Sequence, residues 1–72
     1  MIPISLNGEP REVPADLTLQ ELLAWLNLPA DRVAVECNLN IVPRAQWNAT
    51  AIVAGDRLEV VHFVGGGAPW RR

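Results

Sequence analysis

Ile2, Ile4 and Leu6 alternate with Pro3, Ser5 and Asn7, the period of a strand with one buried face. Asn7-Gly8 follows, a strong hairpin signal because both residues tolerate positive φ. Glu9 to Val13 returns as the partner strand, and Pro14-Ala15-Asp16 breaks it. The period then changes. Leu19, Leu22, Leu23 and Leu26 fall at i, i+3, i+4 and i+7, the apolar stripe of a helix over Thr18 to Leu26. Thr18 and Glu21 have capping-box spacing, Leu17 and Leu22 take the staple positions, and Asn27 and Pro29 end the helix.

Alternation resumes at Val33, Val35 and Cys37, which share one face of a third strand. Asn38-Leu39-Asn40 reads as a turn and Ile41-Val42-Pro43 as a short strand stopped by its proline. Arg44 to Val53 has no clean period and holds at most a short helical turn. After the turn at Ala54-Gly55-Asp56 comes the last strand, Arg57 to Val64. Its Leu58, Val60 and His62 face one way, and Glu59, Val61 and Phe63 face the other.

One amphipathic helix must cover the apolar face of one sheet, because neither buries its surface alone. The expected architecture is an α+β roll over residues 1–64, a mixed sheet of four to five strands on one main helix. Residues 65–72 read as a flexible glycine-rich tail.

Seventy-two residues make one domain with no room for a deep catalytic cleft. A core of this size supplies about 3–5 kcal/mol without a staple. Cys37 is the only cysteine, so no intramolecular disulfide forms, and one His with one Cys makes a poor metal site. The formal charge of −2 hides an asymmetry, since without Arg71 and Arg72 four arginines face eight acids. An acidic body is unsuited to nucleic acid and suited to a basic protein surface. Met1-Ile2-Pro3-Ile4 lacks the basic and apolar regions of a secretory signal, and no apolar run has membrane-spanning length. The expected setting is the cytoplasm, with neither a membrane nor nucleic acid as partner.

No phosphate-binding glycine loop precedes a helix, and no Ser-His-Asp or Cys-His set assembles, so no self-sufficient enzyme is expected and no catalytic residue is assigned. His62 reads as a strand residue with its imidazole at the sheet margin. Cys37, at an inward strand position, reads as an inert core thiol. Trp25 is placed on the helix face, and Trp47 in a partly exposed contact patch. Gly65-Gly66-Gly67 stands apart. Glycines are an entropic cost with no packing in return, yet they give a backbone slim enough to thread a channel. Extended, Val64 to Gly67 reaches about 13 Å. A glycine carboxylate delivered there can be adenylated and the adenylate displaced by a sulfur nucleophile, chemistry that needs the carboxylate free of residues 68–72.

The strand-strand-helix-strand-strand order and the glycine end resemble the ubiquitin-like β-grasp sulfur carriers, above all the ThiS family of thiamine biosynthesis. The stretches that carry the resemblance are Leu6-Asn7-Gly8-Glu9-Pro10, the helix Thr18 to Leu26, Val33-Ala34-Val35-Glu36, Asn38, Ile41-Val42-Pro43-Arg44, Gly55-Asp56-Arg57-Leu58-Glu59-Val60-Val61 and Gly65-Gly66-Gly67. It covers residues 1–67 and is specific only in combination. The resemblance implies an E1-like adenylyltransferase that spends ATP on the terminal glycine, with no cofactor bound to the carrier itself. It further implies a sulfur-donating enzyme that converts the adenylate to a thiocarboxylate, and a thiazole synthase that takes the sulfur. On this sequence the acyl-bearing residue is Gly67, with Gly66 second, and Gly65 to Gly67 form the threading tail. Docking falls on the exposed sheet face at Glu59, Val61 and Phe63. Ala68-Pro69-Trp70-Arg71-Arg72 departs from the family, which commonly stops at the glycines. The expectation is removal of these residues by a trimming metalloprotease. Alternatives are a carrier for another sulfur pathway (molybdopterin, cysteine or another metabolite), a non-conjugating β-grasp interaction module, and a modifier attached to lysine amines.

Overall fold

In the computed structural model, residues 1–64 and 68–71 are described, with side chains described through Phe63. Strand β1 (Ile2–Leu6) turns at Asn7 and Gly8, whose φ values are 51° and 84°, and pairs antiparallel with β2 (Glu9–Val13). Both turn residues are left-handed, the geometry that matches the twist of a two-residue hairpin. Helix α1 (Leu19–Trp25) starts from a complete capping box. The Thr18 hydroxyl accepts from the Glu21 amide at 3.2 Å, and the Glu21 carboxylate accepts from the Thr18 amide at 2.9 Å. Its far end closes on Asn27 at φ 60°. The Leu28 amide donates to the Leu23 carbonyl and the Asn27 amide to the Ala24 carbonyl, so a Schellman motif stops the helix with asparagine in the usual glycine place.

A 3-10 turn (Ala30–Arg32) leads into β3 (Val33–Cys37), which pairs antiparallel with β4 (Asn40–Ile41). A second 3-10 turn spans Arg44–Ala49. Strand β5 (Arg57–Val64) then runs through the middle of the sheet, parallel to β1 and antiparallel to β3. The order is β2-β1-β5-β3-β4, with a further strand β6 (Ala68–Arg71) paired antiparallel to β5. The α+β β-grasp architecture expected from the sequence is therefore present, a mixed sheet carrying one helix. Of residues 65–72, read from the sequence as a flexible tail, 65–67 and 72 lie outside the described residues and 68–71 form β6. No helix among the described residues is long and apolar enough to cross a membrane.

The core lies between the helix and one face of the sheet. Leu19, Leu22 and Leu23 descend onto Ile4, Val35, Leu58 and Val60, all at most 3% exposed. Two expectations need correction. The strand expected at Ile41-Val42-Pro43 is shifted back to Asn40–Ile41, because Asn38 and Leu39 alone make the turn, at φ 52° and 73°. Trp47, expected in a partly exposed patch, is 1% exposed. The 3-10 turn carries its indole into the core, where Nε1 donates to the Val42 carbonyl at 2.8 Å. The Arg44 guanidinium covers the ring at 5.5 Å from its centroid and donates to the Ala30 carbonyl at 2.8 Å. Trp25, at the end of α1, is 47% exposed, consistent with its expected place on the helix face.

The two tryptophans should therefore differ sharply. Trp47→Ala is expected to cost about 3–5 kcal/mol, comparable to the whole stability of so small a domain. Trp25→Ala should stay within about 0.5 kcal/mol of the parent. Urea unfolding followed by far-ultraviolet circular dichroism measures both, and equal losses would contradict the assignment of Trp47 to the core.

Candidate functional site

Strand β5 is the element that leads to the glycine run, and three polar groups fix its register. At its start the buried Asp56 carboxylate accepts from the Val53 amide at 2.9 Å and from the Asn38 side-chain amide at 3.1 Å. The Asn38 side-chain oxygen accepts from the Arg57 amide at 2.9 Å, so the β3–β4 turn is tied to the first residue of β5. Halfway along, the Asn7 side chain stands in for a strand. Its oxygen accepts from the Val60 amide at 2.8 Å, and its nitrogen approaches the Val60 carbonyl at 3.4 Å. No local pattern marks this bracket in the sequence, since Asn7 is already accounted for by the hairpin turn.

With register fixed, the two faces of β5 separate as expected. Leu58 and Val60 enter the core, while His62 follows on the same face at the margin, half-buried. Its Nδ1 is enclosed, with no hydrogen-bond partner among the described residues. Around it Leu6, Asn7, Glu9, Arg11, Leu28 and Val60 line a groove of about 330 Å³. On the opposite face Glu59 and Val61 are half-buried and Phe63 is 39% exposed. Val61 adjoins Ala34, Glu36 and Ile41 in a shallow depression of about 260 Å³, and Ile41 is 73% exposed. Glu59, Val61 and Phe63 thus share one accessible face at the end of the strand that leads to residue 65. Gly65, Gly66 and Gly67 lie outside the described residues.

Cys37 is half-buried at the end of β3. Burial first, and then the Asp56 carboxylate, push its thiol above the ordinary range. Both causes oppose thiolate formation, so the residue lacks the electropositive surroundings of a reactive cysteine. Among the described residues no three His, Cys, Asp or Glu side chains gather as a metal site.

A helix resting on a mixed sheet whose central strand leads into a glycine run defines the β-grasp, ubiquitin-like class. Within that class the chain belongs to the ThiS family, whose model matches residues 4–67. It is similar to the crystal structure of the thiamine biosynthesis protein (ThiS) from Geobacter metallireducens, with a TM-score of 0.82 and 35% identity over 92% of this chain and 100% of that one. The sulfur carrier protein ThiS of Bacillus subtilis is 37% identical over 65 residues, covering 89% of this chain and 98% of that protein. A thiazole synthase of Paramagnetospirillum magneticum is 44% identical over 63 residues. That match takes 88% of this chain but only 19% of the synthase, so the chain spans about a fifth of that relative's length.

The Cys37 thiol gives a pH-dependent test. Because its pKa is raised, less thiolate is present at mildly alkaline pH than in an ordinary cysteine. Iodoacetamide should alkylate the folded chain more slowly than the urea-unfolded chain near pH 8. The gap should narrow as pH rises through the folded-state value. Equal rates at pH 8 would contradict the burial argument.

Proposed function

We propose that this protein is a sulfur carrier for thiamine biosynthesis, acting as a co-substrate whose terminal glycine bears the sulfur. One observation carries the reading. The family match runs to Gly67, the last glycine after the central strand, and stops there. Residues 68–72 lie outside the matched stretch, which supports Gly67 ahead of Gly66 as the mature terminus.

The chemistry follows from a carboxylate on a slim tail. The Gly67 carboxylate attacks the α-phosphorus of ATP held by an E1-like adenylyltransferase, and pyrophosphate leaves. Sulfur from a donating enzyme displaces AMP, and the resulting thiocarboxylate passes its sulfur to a thiazole synthase. The carrier contributes reach and docking. Glycines 65–67 have no side chain to obstruct a narrow channel. The accessible face at Glu59, Val61 and Phe63 stays outside and meets the partner enzyme. Two supports bear on the synthase: the match of this chain to a stretch of the thiazole synthase of P. magneticum, and its likeness to the thiamine biosynthesis protein of G. metallireducens. No chemistry occurs until the bond between Gly67 and Ala68 is cut, a task suited to a trimming metalloprotease.

ATP–pyrophosphate exchange with an E1-like adenylyltransferase tests the reading. A chain ending at Gly67 should support exchange, while the chain continuing to Arg72 should give only background. Exchange by the shortened chain no better than by the longer one would sink the proposal. In the shortened chain, Val61→Asp should raise the carrier concentration needed for half-maximal exchange by about tenfold or more, as loss of a central apolar contact does. An unchanged requirement would move docking off this face.

A further inference from the structure

The β1 side of β5 is only partly covered by β1. The two strands pair at Ser5–Arg57 and Leu6–Leu58, after which the chain turns away through Asn7 and Gly8. Asn7 closes the edge at Val60 with its side chain. Backbone groups alternate sides along a strand, so those of His62 and Val64 face the same side as those of Val60. There the edge would be bare, and an uncovered edge is a template for another strand. Ala68–Arg71 occupies that place, with His62 opposite Trp70 and Val64 opposite Ala68.

Two features make this a fitted site. Pro69 stands opposite Phe63, whose backbone groups face β3 by the same alternation, so the amide that proline lacks is not needed. Beneath the edge lies the groove of about 330 Å³ that ends at His62, the residue whose partner in the β6 register is Trp70. The groove has apolar walls from Leu6, Leu28 and Val60 and a polar rim from Glu9 and Arg11.

We propose that the His62–Val64 edge of β5, beside this groove, is a strand-accepting site for an extended segment, occupied in this chain by its own residues 68–71. While occupied, the site engages the chain beyond residue 67 and so competes with delivery of the glycine run to a partner enzyme. This consequence rests on the carrier reading; the site itself does not. Cutting after Gly67 thus has two effects: it frees a carboxylate and empties the site.

Amide hydrogen exchange tests the site separately from adenylation. In the chain to Arg72, the His62 and Val64 amides should exchange at least about tenfold more slowly than in the chain ending at Gly67, with Val35 as the internal control for folding. The acetylated pentapeptide Ala-Pro-Trp-Arg-Arg, added to the shortened chain, should restore protection at His62 and Val64. Trp70→Pro in the longer chain, which removes an amide that faces β5, should speed exchange at His62 and Val64 while leaving Val35 unchanged, and this keeps the test valid if the shortened chain folds poorly. Equal exchange at His62 and Val64 in parent and Trp70→Pro chains, or in the long and short chains, would overturn the proposal. Pyrophosphate exchange reads the carrier function alone, so either idea can fail without the other.

Discussion

Strand β5 has backbone partners on both edges, and the rest of the molecule depends on that double pairing. β3 holds one edge from Leu58 to His62; β1, the Asn7 side chain and β6 divide the other. A slip of one residue would send Glu59, Val61 and Phe63 into the core and expose Leu58 and Val60. The buried Asp56 with the exposed Asn38 at the start, and Asn7 midway, oppose that slip at two points. Those bonds are worth more than their net energy suggests, because a misregistered strand would leave buried donors and acceptors without partners. In sequence the glycine run follows directly from this fixed strand.

The division of labour between faces follows. The helix side of the sheet supplies stability, with Leu19, Leu22 and Leu23 against Val35, Leu58 and Val60 and with Trp47 closing the margin. Among the described residues no helix covers the opposite side, which leaves Phe63 and Ile41 exposed. In a domain of this size the core cannot also house a catalytic cleft. The proposed role as a delivered co-substrate suits that constraint, since it assigns activation and sulfur transfer to partner enzymes.

The hairpin, helix and last strand were legible in the sequence because their signals are local: Asn7-Gly8, the Thr18–Glu21 box, and strict alternation from Arg57 to Val64. Trp47 was not, since its partners are the Val42 carbonyl and the Arg44 guanidinium, held by a 3-10 turn that shows no apolar period. The pairing of Ala68–Arg71 was hidden for a related reason. A short segment containing proline after three glycines has little strand propensity of its own, and its register comes from an edge that β1 leaves uncovered. Glu59, Val61 and Phe63, the proposed docking residues, could be placed on one face by alternation alone, and only the fold shows which face the helix leaves open.

The central claim is that the Gly67 carboxyl is freed and charged with sulfur. The most direct measurement is the intact mass of the untagged protein recovered from its own cells. The account predicts a species ending at Gly67, part of it heavier by the replacement of one carboxyl oxygen with sulfur. A population in which every molecule retains the residues after Gly67 would contradict it, because no free carboxylate would exist to carry the sulfur.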